Sequence, residues 1–399
     1  NGCHKIETYP SRRKAGPDLS RINEKVSKKW TGKWIKDPRS FRHNTRMPSF
    51  FNQTNNSAPE SIIRNDTEIA TIVEYLFKEG EKKPTSNDSQ YIGNAGTGEK
   101  LFDVVGCKGC HIIEPNSDNL PVKTTLTDIL KQQGPNLIGL GSKTTADWIF
   151  HWLKNPNEYW HETRMPNLRL SDTEAKDLTA YLLSFENSQF EDADAVLIDS
   201  TALDDITFGW LGKMYPEKES KSRLENMEYN EKVGYVADKS IRYYGCYGCH
   251  NIPGYEDAKP IGTELTLEGS KPIDKLDFGF QHDLEHTNHS WFEAKLENPR
   301  IFDVGKVVAN EDKLRMPNFN LKPEEIEAIV TAILSFTDDV VGENMLAARS
   351  VPDPQIFEGR KLIRDNNCQG CHIIDGFGGQ IAENYSAPEY APPNLNTEG

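Results

Sequence analysis

Residues 107–111 read CKGCH, and the pattern returns as CYGCH at 246–250 and CQGCH at 368–372. The chain opens NGCH at 1–4, the same signature short of its first cysteine, which would sit just before Asn1. Of the seven cysteines, six fall in the three complete motifs and the seventh, Cys3, in the incomplete one. None is left over for a disulfide or for ordinary core packing.

The repeat extends well past the cysteines. A helix-like lead precedes each complete motif: GEKLFDVVGCKGCH, KSIRYYGCYGCH and FEGRKLIRDNNCQGCH. A proline-containing turn follows, GPDL at 16–19, GPNL at 134–137 and PPNL at 392–395. Then come segments aligned on Trp30, Trp148 and Trp291, each with a proline eight positions on (Pro38, Pro156, Pro299), and the elements RMPSF, RMPNL and RMPNF. Each of these three repeats closes on an amphipathic pattern. Ile69, Ile72, Val73, Leu76 and Phe77 keep to one helical face, as do Ile326, Ile329, Val330, Ile333 and Leu334. Ser171 and Glu174 predict a capping box at the start of the second closing helix. Strand-like alternation is scarce, so the units read as small and helical.

These boundaries predict a first unit over residues 1–86 without its lead helix and a complete second unit over 94–187. An acidic and charged linker with some helix follows over 188–230, then a third unit over 231–338. A fourth, over 353–399, stops before any tryptophan or Arg-Met-Pro element. Both ends cut through a repeat, so the segment reads as part of a longer polypeptide, with an Arg-Met-Pro-like element expected beyond Gly399.

Cysteines at i and i+3 share one face of a helical turn. Their sulfurs can add to the two vinyl groups of one haem while the next histidine reaches the iron; Cys-x-x-Cys-His is an attachment signature of c-type haem. A zinc site needs further ligands for each pair, and a redox dithiol needs no following histidine. Repetition with an unchanged downstream pattern decides for haem. The reading places haem c at four sites. The thioether cysteines are Cys3, Cys107, Cys110, Cys246, Cys249, Cys368 and Cys371, and the proximal histidines are His4, His111, His250 and His372.

A thioether is a soft neutral ligand that raises the reduction potential. Met47, Met165 and Met316, in the shared Arg-Met-Pro context, lie 43, 54 and 66 residues beyond His4, His111 and His250. They are the expected sixth ligands. Met214, Met227 and Met345 lack that context and read as packing. His282, His286 and His289 cluster in FQHDLEHTNHSW and read as solvated or haem-edge side chains. His43, His151 and His161 carry no functional expectation.

With 399 residues, 36% hydrophobic and 27% charged, the chain is lean in core-forming side chains. A porphyrin anchored by two bonds would supply much of each small core. No apolar run approaches the roughly 18 residues of a membrane helix. A formal charge of −15 argues against nucleic acid and suits a partner with a basic docking face.

Taken in order, the lead helix, motif, Pro-turn, methionine and closing helix make each unit resemble a class I (mitochondrial-type) cytochrome c domain. The resemblance covers most of the chain outside 188–230. It implies an all-α fold in which a lead helix crosses a closing helix with haem between them. It also implies that the carbonyls of Pro17 and Pro135 orient the proximal histidines. The third unit departs from the pattern: IGTELTLEGSKPIDKLDFGF after its motif has no Gly-Pro-x-Leu. The concatenation is similar to multihaem cytochromes of bacterial respiratory and extracellular electron-transfer chains. The expected function is a carrier passing single electrons along covalently bound haems, without substrate chemistry of its own. Alternatives are a peroxidase-like enzyme with one open haem, or a subunit of a conductive filament or a membrane-bound respiratory complex. Partners would be other redox proteins, a membrane quinone-oxidising complex or further haem domains of the same chain, and the location periplasmic or extracellular.

Overall fold

The computed structural model describes residues 2–7, 14–43, 45–78, 89–113, 134–337, 354–385 and 391–397. Met345 and the unit boundaries at 86, 338 and 353 lie outside them. The fold is all-α. Among the described residues strand occurs as the antiparallel pair Ile373–Ile374 with Phe377–Gly378.

Local sequence sets how each motif begins. The Ala95–Val104 helix starts at Asn94, whose side chain accepts from the Thr97 amide. It runs out at Gly106, where the backbone turns left-handed at φ 95°. The Tyr229–Tyr244 helix ends likewise at Gly245, φ 68°. After the Pro354–Asp365 helix the same position is Asn367, φ 51°. Glycine and asparagine are the residues that enter this region most readily. Each reversal starts a short 3₁₀ turn, Cys107–Gly109, Cys246–Gly248 and Cys368–Gly370. The histidine amide then closes on the first cysteine's carbonyl, 2.9 Å at His111, 3.1 Å at His250 and 2.9 Å at His372.

In the second repeat the lead helix crosses the closing helix Asp172–Leu183. A β-carbon at Gly98 would collide with the Asp177 carbonyl, so glycine lets the backbones touch. The closing helix begins with the expected box: the Ser171 hydroxyl accepts from the Glu174 amide and the Glu174 carboxylate from the Ser171 amide. Phe102, Ile149, Leu153, Leu178 and Leu182 form the core between these helices and the Ala146–Lys154 helix.

The first and third repeats are built differently. The Pro59–Leu76 helix carries the predicted face, with Ile69, Ile72, Val73 and Leu76 buried. Its partner is the Tyr229–Tyr244 lead helix, which lies ahead of the third motif in sequence. Ile241, Tyr244, Tyr247, Ile252 and Tyr255 share one core with Phe51, Ile69, Ile72, Val73 and Leu76. The third closing helix, Pro323–Leu334, buries Ile326 and Val330 against Phe292 of the Asn288–Glu297 helix. The lead helix of the third repeat thus packs on the closing helix of the first. The seam between them is polar. Arg64 pairs with Glu68 at 3.0 Å and with Glu311 at 2.9 Å, and the Tyr244 hydroxyl donates to Glu68 at 2.6 Å. Residues 49 and 318, which follow the two Arg-Met-Pro elements, form an antiparallel bridge.

Residues 188–230 do more than connect. They form helices Ser188–Asp192, Ser200–Gly212 and Glu217–Asn226. Leu203 and Ile206 are buried with Val236 of the lead helix. Phe190 enters the aromatic core around Trp30 and Phe41.

Candidate functional site

All four motif histidines make the same contact. The Nδ1 of His111 lies 2.8 Å from the Pro135 carbonyl, that of His250 2.8 Å from Pro17, that of His372 2.8 Å from Pro393 and that of His4 2.7 Å from Thr263. A carbonyl accepts only, so each ring donates from Nδ1 and leaves Nε2 as the free lone pair. A hydrogen bond from one ring nitrogen orients an imidazole that binds a metal through the other. Desolvation lowers the pKa of His111 and His250, opposed by their proline carbonyls, so both rings are neutral near pH 7.

The turn that supplies the carbonyl is built alike in three places. The amides of Gly134, Gly16 and Gly262 bond to the carbonyls of Cys110, Cys249 and Cys3. The leucine three positions on returns to the residue after the histidine: Leu137 to Ile112, Leu19 to Asn251, Leu265 to Lys5. A side chain at any of these glycines would strike the histidine ring it faces. Pro135 serves His111 as the resemblance implied. Pro17 serves His250 rather than His4, and His4 is served by Gly262-Thr263-Glu264-Leu265. That segment performs the missing Gly-Pro-x-Leu role with threonine in place of proline, because the contact uses a carbonyl, which every residue has.

Burial pushes the Cys107 and Cys246 thiols up to about 12, whereas the side-chain contact with Cys3 lowers that of Cys249 to about 7. Among the described residues no group of three or more His, Cys, Asp or Glu side chains converges to hold a metal ion. His286 stacks on Phe278, ring centroids 4.2 Å apart, while His289 lies 3.3 Å from Glu327, so these histidines have separate roles.

Met165 borders the second core, and the Trp152 indole N–H lies 2.8 Å from its sulfur. Met47 and Met165 are held alike, their amides donating to the hydroxyls of Thr45 and Thr163 at 3.2 Å. Met316 is held from its carbonyl by the Arg300 guanidinium. Met47 follows Pro17 in the first repeat, and Met316 follows Thr263 in the third.

Among the described residues, the buried donors without a partner include the Trp30 indole N–H and the Arg42 Nε. Unsatisfied buried donors are costly, and both suit the carboxylates of a haem. Together with four oriented histidines and the glycine-cleared rings, they make the residues present fit haem.

Comparison with known proteins agrees. Residues 95–186 match the family model "Cytochrome c". That stretch is a c-type cytochrome domain. Residues 8–111 match a second model, "Cytochrome C oxidase, mono-heme subunit/FixO". No curated protein and no solved structure matches the chain. The two matches support a haem-based electron-transfer protein, and haem c, the group such domains carry, supplies one-electron chemistry when bound. No helix among the described residues is long and apolar enough to cross a membrane.

Sequence reasoning missed three features of the site. One is GTEL at 262–265, whose Gly-x-x-Leu spacing matches the other turns. A second is the glycine ahead of each second cysteine, common to all four motifs. The third is a lysine five positions before each of Trp30 and Trp148.

Proposed function

We propose that this cytochrome binds four haems c and passes single electrons between redox partners outside the cytoplasm, periplasmic or extracellular. The observation carrying the reading is the Nδ1-to-carbonyl bond repeated at His4, His111, His250 and His372. In this reading Cys107 and Cys110, Cys246 and Cys249, and Cys368 and Cys371 form the thioethers, with Cys3 in the first motif. His111 and Met165 would hold one haem. Because Pro17 and Thr263 exchange histidines, Met47 pairs with His250 and Met316 with His4. The protein's part is to fix ligands, exclude water and set potentials.

The test is the intact mass and optical spectrum of the purified protein. Four covalent haems, all low-spin, support the carrier. Free thiols at Cys107 and Cys110 overturn it, and a high-spin fraction points to an open, peroxidase-like site.

The match of residues 8–111 to a mono-haem oxidase subunit favours one more specific reading, in which the electrons go to a membrane-bound oxidase, with the cytochrome as its subunit or donor. Co-purification with oxidase activity that falls when the cytochrome is removed supports this. Undiminished oxidase activity without it rejects it.

A further inference from the structure

The four motifs touch in two pairs. A β-carbon at Gly2 would strike the carbonyl of Gly248, and one at Gly248 would come within 2.8 Å of the carbonyl of Gly2. In the other pair a β-carbon at Gly109 would lie 2.8 Å from the Gly370 carbonyl, and the Asn367 side chain donates to the Cys110 sulfur at 2.9 Å. A second contact repeats in both. Gly245, just before Cys246, packs against Ile261 of the half that holds His4, and Gly106, just before Cys107, against Ile381 of the half that holds His372. Each complete lead segment therefore meets its neighbour's motif through glycines, which allow the backbones to touch.

A different junction joins the two pairs. Trp30 stacks on Trp34 at 5.2 Å and Trp148 on Trp152 at 5.1 Å. Lys143 of the second repeat reaches across to the Trp30 ring, 4.8 Å from its centroid, and Lys25 of the first repeat covers Trp148 at 4.2 Å. The exchange is reciprocal, and the Thr144 hydroxyl pins it by donating to the Lys25 carbonyl at 2.6 Å. Arg42, 7% exposed, lies close enough to act on both lysines. Desolvation lowers the pKa of Lys25 to about 8, that of Arg42 to about 10 and that of Lys143 well below its ordinary value. Among the described residues no carboxylate answers any of the three. Arg42 is buried, and Lys25 and Lys143 are half-buried; cation–π contact offsets part of the cost, but charges withdrawn from water are ordinarily paired. Three such cations beside the unsatisfied indole of Trp30 suit carboxylates.

We propose that Lys25, Arg42 and Lys143 receive the carboxylates of two haems, those held by His250 and His111, so that the four sites stand in the spatial order His4, His250, His111, His372. This rests on the four-haem reading. Outer contacts in the row are motif to motif through glycine, and the central one is the shared cationic joint. Spatial order thus differs from sequence order, because the third repeat's lead helix packs on the first repeat and the turns that hold His4 and His250 are crossed.

The test uses the haem-loaded chain and its Lys25→Gln, Lys143→Gln and Lys143→Arg variants. Intact mass counts the haems, and NMR follows the labelled methyl groups of Met47, Met165 and Met316 through a redox titration. A positive charge favours the reduced, less positive site. Each glutamine variant should lower the midpoints read at Met47 and Met165 together and leave that at Met316 in place, and Lys143→Arg should restore them. Four haems with one midpoint moved, none moved, or Met316 moved instead overturn the order alone. Fewer than four haems overturns the proposed function and the order with it.

Discussion

His250 donates from Nδ1 to the carbonyl of Pro17, 2.8 Å away and 233 positions earlier in the chain. This contact, with its counterpart from His4 to Thr263, crosses the boundary between repeats and makes their order along the chain a poor guide to their order in space. Gly16 is where it can be probed. A methyl group at Gly16 would strike the His250 ring, so Gly16→Ala should perturb the low-spin electron-spin-resonance signal that His250→Ala abolishes. Gly262→Ala should do the same for the signal of His4. A Gly16→Ala effect on the His4 signal would argue against the exchange.

Met165→Ala should leave haem attached, because the thioethers to Cys107 and Cys110 do not depend on the sixth ligand. It should lower that haem's potential, on the order of tenths of a volt given the range that axial ligands span. The near-infrared sulfur-to-iron band should lose one haem's intensity. An unchanged band and potential would remove Met165 from the ligand set.

Gly98 sets the helix crossing of the second repeat, its α-carbon lying against the Asp177 carbonyl. Gly98→Val should destabilise that unit by about 1–3 kcal/mol, the usual range for forcing atoms into a packed interface. Chemical denaturation followed by the second unit's haem absorbance reads this. A gain in stability would mean that the helices do not touch there.

Burial raises the Glu68 carboxyl above its ordinary 4.5, with Arg64 and the Tyr244 hydroxyl pulling it back. A raised carboxyl binds its proton more tightly folded than unfolded, so its ionisation costs stability as pH climbs from about 4.5 through the folded value. Glu68→Gln should flatten that slope. At neutral pH it should cost about 1–3 kcal/mol, because Arg64 and Tyr244 lose a charged acceptor. Urea unfolding from pH 4 to 8 measures both, and an unaltered pH slope would show that Glu68 titrates as an ordinary surface acid.

The repeat and the helices are legible because each is written locally. Cys-x-x-Cys-His, complete three times, marks the repeat, Ser171 and Glu174 write their own cap, and Ile69 to Leu76 write their own face. What could not be read was which segments pair. Tyr244 packs on Phe51 (ring centroids 5.0 Å) through complementary shape, and nothing near either residue in sequence announces it. GTEL carries no proline to mark it; its working parts are a glycine that clears the ring and a carbonyl that accepts. The helix Ser200–Gly212 was hidden by its acidic neighbours, although Leu203, Ile206 and Trp210 already carried a helical period. Lys25 and Lys143 escaped because a lone lysine before a tryptophan carries no meaning until the partner repeat is folded against it.

The measurement that tests the account most directly is an experimental structure of the haem-loaded protein, read at one atom: the sulfur bound to the iron that His250 ligates. The account predicts Met47, with Pro17 on the opposite side holding the His250 ring. Met316 in that position, with Pro17 against His4, would contradict it.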